Sequence, residues 1–170
     1  MGREPTLDLY ILQFLTGLSN AASLFLVASG LSLIFGVTRI VNFAHGAFYM
    51  LGAYLAYSLT TRWESAFGFW AALLVSAAIV AVCGALLEIL LLRRIYRAPE
   101  LLQLLATFGV TLVVEDGVRL IWGPEDLVGP RAPGLSGAVQ ILGRPFPAYD
   151  LVLIALGPAV LGMLWLLLHR

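Results

Sequence analysis

The stretch "GLSLIFGVTRIVNFAHGAFYMLGAY", Gly30 to Tyr54, sets Arg39, Asn42 and His45 between two long apolar runs, with Gly46 following at once. An amide, an imidazole and a glycine at the start of a helix can do two kinds of work. Asn42 can accept from the free backbone N–H groups of a first helical turn, a structural role. The same polar, glycine-containing start can also turn free N–H groups and a positive dipole end toward a solute or ion, as broken transporter helices do. Spacing leaves both readings open for Asn42, His45 and Gly46. Arg39 has a simpler one, snorkelling its charge to the headgroups while its stem lies on apolar surface.

Glu115, Asp116 and Arg119 form the second polar group. An unpaired charge in a bilayer costs several kcal/mol and marks function by default. Here Glu115 to Arg119 is i, i+4 and Asp116 to Arg119 is i, i+3, so one arginine can reach either acid as an intramembrane ion pair. Counted from Leu101 at about 1.5 Å per residue, Arg119 lies roughly 27 Å along a core of about 30 Å, near an interface. The group can fix the depth of its helix or line a solute path. Glu88 stands one turn from Arg93 and Arg94, where pairing is the expected role. The two histidines, His45 and His169, and the single Cys83 supply no metal-ligand spacing and no intrachain disulfide.

These residues must be positioned by elements made of an unusually oily chain. Hydrophobic residues are 61% of it and charged residues 12%, with a mean hydropathy of +0.95, far from the balance of soluble domains. The expected fold is all-α, a polytopic transmembrane helix bundle. Five runs fit spans: Leu9 to Val37, Phe43 to Thr60, Phe67 to Leu92, Leu101 to Trp122 and Leu151 to Leu168. The first run is too long for a signal-peptide core and follows an acidic start, so it is expected to stay as an anchor. The second has about 18 residues against the roughly 20 a span needs, which leaves full crossing unsettled. Residues 1–170 read as a single transmembrane domain, with 123–150 a Gly/Pro-rich extracytoplasmic loop holding at most a short strand or hairpin. Small residues at Ala77, Ala81 and Ala85, and at Gly52 and Ala56, are stripes on which helices can pack closely.

Arginine placement sets the orientation, because short cytoplasmic loops hold the excess of positive charge. Arg93, Arg94 and Arg97 share one tight turn, with Arg39 and Arg170 on the same side. The amino terminus is therefore expected outside. Ten acids balance ten basic residues, all arginine, so nothing points to nucleic acid; the surrounding partner is membrane lipid.

"GLSLIFGVTRIVNFAHGAFYMLGAYLA" resembles the amino-terminal signature of the LivH-type permease subunits of branched-chain amino acid ABC transporters, most specifically in the run from Arg39 to Gly46. "LLQLLATFGVTLVVEDGVRLIWGPE", Leu101 to Glu125, is similar to the family's fourth-helix segment, and "GPRAPGLSG" to its outer loop. The resemblance implies a bacterial inner-membrane permease subunit taking cargo from a periplasmic binding protein. It would pair with a LivM-type permease subunit and two cytoplasmic ATPase subunits. ATP would bind those partner chains, and no cofactor this one. The cargo class is mainly leucine, isoleucine and valine, with urea, short amides and other amino acids among relatives. Family subunits continue past the fifth helix into a cytoplasmic loop that docks on the ATPase. This sequence stops at "WLLLHR", so it is expected to be an amino-terminal portion. Under the resemblance, Asn42, His45 and Gly46 open the second helix beside the translocation path, as a gate or helix break.

Other functions remain as alternatives. A passive channel or facilitator for a small polar solute would use the same bundle with no ATPase, and a non-functional remnant or a purely structural subunit needs no path at all. An enzyme needs a nucleophile and base or a metal held at one depth. The sequence has no Walker-type glycine run and no Gly-x-Ser-x-Gly elbow, and an enzyme is not expected.

Overall fold

Lipid offers the backbone no hydrogen bonds, so an apolar run that crosses it must satisfy its own N–H and C=O groups as a helix. The computed structural model describes residues 7–39 and 42–169, and the runs are helical in it. They are α1 (Leu7–Thr38), α2 (Ala44–Arg62), α3 (Ala66–Leu87), α5 (Glu100–Trp122) and α6 (Ala148–Leu168). Beyond Leu87, α3 passes into a π-helical turn, Glu88–Leu92, and then the single turn α4, Arg93–Ile95. Ile40 and Val41 of the signature, and Arg170 of the orientation argument, lie outside the described residues.

Four of these stretches, Leu7–Val37, Ala66–Ile95, Glu100–Trp122 and Ala148–Leu168, are long and apolar enough to cross a membrane. Helix α2 is not among them, and its surroundings supply a reason. It packs against both α3 and α5. From Ala44 to Thr60 only Gly46, Tyr49 and Ala53 are exposed. A helix enclosed by protein does not need the hydropathy of one bathed in lipid. By contrast α3 and α5 turn long aliphatic side chains outward, with Leu74, Val82, Leu105 and Val113 all exposed, as lipid-facing helices do.

The helices pack in two compact units, one drawn from 1–30 and 131–170 and the other from 31–130. Short connections keep α2, α3 and α5 neighbours, whereas a long loop precedes α6. In the first unit, Gly157 of α6 lies close to α1, so a Cβ added there would meet Ala22 Cβ at 3.4 Å. Ser19 Oγ donates to Asp150 Oδ1 at 3.1 Å.

The loop holds an antiparallel hairpin, β1 (Ala138–Ile141) and β2 (Arg144–Pro147), paired from Ala138 with Pro147 to Ile141 with Arg144. This is the one departure from an all-α fold among the described residues. Its turn residues Leu142 and Gly143 have φ of 52° and 77°, the left-handed pair a two-residue turn demands. Helix α6 begins at Ala148, so the last residues of the expected loop 123–150 are helical. Asp150 in the first turn favours that start by facing the positive end of the dipole.

The packing stripe of α3 also differs from the one expected. Ala77, Ala81 and Ala85 are exposed, and the buried residues are Gly68, Ala72 and Ser76. They too stand at i, i+4, i+8. Both stripes run along one helix that is apolar all round, and periodicity cannot rank them. Gly52 is where expected, with Val80 Cγ2 at 3.4 Å from a Cβ placed on it. Gly68 is tighter: an added Cβ would fall 2.7 Å from Trp63 Cβ. Ser65 caps this end of α3, its Oγ accepting from Gly68 N–H at 2.9 Å.

Candidate functional site

The start of α2 is built by Asn42. Its side-chain Oδ1 accepts from Ala44 N–H at 3.0 Å, and its carbonyl accepts from His45 N–H at 3.2 Å. The amide thus performs the capping role its spacing allowed, meeting one of the four N–H groups that a helix start leaves open. Just before it, α1 ends in Arg39, which holds φ at 57° and donates its N–H to Phe35 O at 2.8 Å. That is the left-handed stop that commonly ends helices, here without glycine.

Asn42 and His45 line a cleft of about 290 Å³. Two further polar residues line it, Glu88 from the first position of the π-helical turn and Tyr96 just past α4. The Tyr96 hydroxyl donates to Glu88 Oε1, and Arg93 Nε stands 3.8 Å from the same oxygen. Partial burial, then the hydrogen bond to Glu88 and its negative charge, push the Tyr96 phenol up to about 12, with the Arg93 charge opposing. Tyr96 therefore stays a donor at neutral pH. The rest of the wall is apolar, with Ile34, Phe48, Val80, Leu87 and Leu92.

Gly46 is not part of this cleft. It lies on the exposed face of α2, and a Cβ there would meet nothing within 4 Å. So the structure brings Asn42 and His45 together and sets Gly46 apart from them. Glu115, Asp116 and Arg119 share α5, where Glu115 is half-buried and the other two are exposed. Among the described residues, the ion pair within 4.0 Å is Glu88 with Arg93, not Arg119 with either acid. Helical spacing permits the Arg119 pair, and Arg119 lies in the last turn of α5, where its charge can reach an interface.

Two residues that sequence reading passed over hold the ends of this unit. Gln103 is buried, and its Nε2 donates toward the carbonyls of Ile95, Tyr96 and Ala98 at 3.2, 3.3 and 2.9 Å. It ties the turn bearing Tyr96 to α5. At the other end, Trp122 Nε1 donates to Ser58 Oγ at 2.6 Å, and its ring lies 5.5 Å from that of Tyr54. A glutamine near the start of an apolar helix was the available signal for the first. The Glu88–Tyr96 contact spans a π-helical turn, and ordinary helical spacing does not announce it.

The arrangement offers an anionic acceptor, amide donors and an aliphatic wall at one end of a helical unit. Among the described residues no group of three His, Cys, Asp or Glu side chains is placed to hold a metal.

Comparison with known proteins gives this geometry its family. The chain is 27% identical over 131 residues to the high-affinity branched-chain amino acid transport system permease protein LivH of Salmonella typhimurium, covering 71% of this chain and 41% of the relative. It is equally similar to LivH of Escherichia coli K12, with the same coverage. It is 25% identical over 122 residues to the permease protein BraD of Pseudomonas aeruginosa, covering 68% of this chain and 40% of that one. The chain thus spans about two-fifths of the length of these relatives. No solved structure matches it. Residues 13–170 match the family described as branched-chain amino acid transport system / permease component. With that match running through α2, the cleft and α6, the chain belongs to the branched-chain amino acid transport permease family, as a multi-pass membrane protein.

Proposed function

We propose that this chain is a transmembrane permease subunit of an ABC importer for branched-chain amino acids or related small polar solutes. It forms part of the translocation path for cargo delivered by a periplasmic binding protein. The observation that carries the reading is the family match across 13–170, on a chain whose helices are long and apolar enough to span. The setting is the bacterial inner membrane, with the amino terminus outside. Support for that orientation comes from Arg39, Arg93, Arg94 and Arg97, which belong to the same end of the helical unit as the cleft. The proposed partners are a LivM-type permease subunit, two cytoplasmic ATPase subunits that bind the ATP, and the binding protein.

Asn42 and His45 are the gate candidates, supported by their place in the cleft at the start of α2. Gly46 enters only as an adjoining helix-start residue. Glu115, Asp116 and Arg119 are read as a polar collar setting the depth of α5 near the outer interface. The test is uptake of labelled leucine into membrane vesicles carrying the chain and its partner subunits, with and without ATP. Accumulation against a gradient that needs ATP supports the importer. Equilibration that ignores ATP makes the chain a channel or facilitator.

A further inference from the structure

Helix α2 leaves a narrow strip uncovered. Between Ala44 and Thr60 the exposed residues are Gly46, Tyr49 and Ala53. They stand at i, i+3 and i+7, on one helix face, over about 10 Å. The long aliphatic side chains of the same stretch, Leu51, Leu55 and Leu59, are all half-buried, where α2 packs against α3 and α5.

Lipid, another protein helix or water can lie on such a strip. Lipid selects long aliphatic side chains, as Leu74 and Val82 of α3 and Leu105 and Val113 of α5 show, and the strip has none. A second helix could approach closely at Gly46 and Ala53, which are small. But Tyr49 stands between them on the same face and is 62% exposed, so its ring would hold another backbone away. Its phenol hydroxyl also needs a hydrogen-bond partner, which water supplies and hydrocarbon does not.

The strip also runs into a polar hollow. Ala53 lines a cavity of about 170 Å³ with Tyr54, Tyr57, Asp126 and Leu127. Asp126 is exposed, and a carboxylate stays charged only where water or a partner compensates its charge. Gly46, at the other end of the strip, follows His45 directly. Water held at Asp126 therefore has a course past Ala53 and Tyr49 toward the start of α2.

We infer that the Gly46, Tyr49 and Ala53 face of α2 is wetted and forms a wall of the translocation path. The inference rests on the importer reading and deepens it, adding Tyr49 and Ala53 to the residues that meet the solute. It also accounts for the low hydropathy of α2 on the one side that protein does not enclose.

The test is the rate at which a charged, membrane-impermeant methanethiosulfonate reacts with single cysteines, in membranes carrying the whole chain with its partner subunits. Cys83, the only cysteine, is first removed as Cys83→Ala. Tyr49→Cys and Ala53→Cys are then compared with Val82→Cys, on the exposed aliphatic face of α3 and close in depth, since Val80 packs at Gly52. The reagent attacks thiolate, and a thiol pKa raised one or two units by loss of water cuts the thiolate share roughly ten- to a hundredfold. Tyr49→Cys and Ala53→Cys should accordingly react roughly tenfold or more faster than Val82→Cys. Ala53 is the midpoint of α2, nine residues from each end, so solvent beyond the helix ends does not explain fast reaction there. Ala53→Cys adds one sulfur atom at an exposed position, so a misfolded Tyr49→Cys does not decide the matter. Ala53→Cys reacting as slowly as Val82→Cys overturns the wetted face, and ATP-driven leucine uptake in that same preparation leaves the importer standing. Fast reaction only when the partner subunits are omitted also overturns it, and makes the face a subunit contact. Fast reaction in the full assembly without ATP-driven uptake keeps the wetted face and overturns the importer.

Discussion

Asn42 has two ends. Its Oδ1 caps α2 through the 3.0 Å bond from Ala44 N–H, and its NH₂ is the donor end available to the proposed gate. Two substitutions separate them. Asn42→Ala removes both ends. The lost cap costs about 1 kcal/mol, roughly a fivefold drop in the ratio of folded to unfolded protein. Asn42→Asp keeps an acceptor for the same N–H. It also adds a negative charge at the positive end of α2, worth about 0.3–1 kcal/mol in favour of the helix. But it removes the amide donors from the cleft that Asn42 lines. Stability is measured by unfolding in mixed micelles with increasing denaturing detergent, followed through the fluorescence of the four tryptophans. Leucine binding is measured on the same samples. The expected pattern is Asn42→Ala destabilised and Asn42→Asp as stable as the parent or more so, with leucine binding weakened in both. If Asn42→Asp unfolds as early as Asn42→Ala, the capping account of this residue is refuted. If it is stable and binds leucine normally, the amide donors are not part of the proposed gate.

Gln103→Leu should destabilise the protein by about 1–3 kcal/mol in the same unfolding assay, since the carbonyls of Ile95, Tyr96 and Ala98 lose a buried donor. A neutral result would mean water replaces the side chain there. Gly68→Ala should cost about 1–3 kcal/mol, because its Cβ would lie 2.7 Å from Trp63 Cβ and 2.9 Å from Ser65 Oγ. Gly46→Ala, open on every side, should be neutral or stabilising by up to about 1 kcal/mol, and serves as the control. Tyr96 gives a pH prediction. Its folded pKa is raised from 10.0 to about 12, so its contribution to stability is complete below pH 10 and is lost as pH rises toward 12. Ultraviolet titration of tyrosinate should show one late-titrating tyrosine that disappears in Tyr96→Phe, and that variant should lose less stability across this window.

The spans were legible because a run of about 20 apolar residues has few alternatives. Leu9 to Val37 and Leu101 to Trp122 need only small adjustment at their ends to become α1 and α5. Asn42 as a cap was legible for the same local reason, since a polar acceptor just before an apolar run has one obvious backbone partner. What periodicity could not supply was direction. Helix α3 is apolar on every face, so Gly68, Ala72 and Ser76 looked no better than Ala77, Ala81 and Ala85, though only the former are buried. Glu88 was paired correctly with Arg93, but its contact with Tyr96 was out of reach. A π-helical turn between them shifts the register on which i, i+4 arithmetic depends.

Polar groups in this chain divide by how they meet their hydrogen-bonding needs. The hydroxyls of Ser23, Thr60, Ser76 and Thr111 donate to a carbonyl three or four residues back in their own helix. Each needs no partner from elsewhere, so such residues can lie at any depth without drawing in water or a neighbouring helix. Asn42, Glu88, Gln103 and Trp122 behave otherwise, bonding across a helix end, a turn or to another helix. They lie near helix ends, where unpaired backbone groups create the need for them. Of these four, only Glu88 carries a formal charge, and the phenol and distant guanidinium beside it leave it acceptor sites to spare. No buried side-chain nitrogen or oxygen among the described residues lacks a partner. Glu88 lies in a part-open cleft, at a π-helical turn, whose wall Asn42 also lines, and its partners Arg93 and Tyr96 come from the turns that follow it.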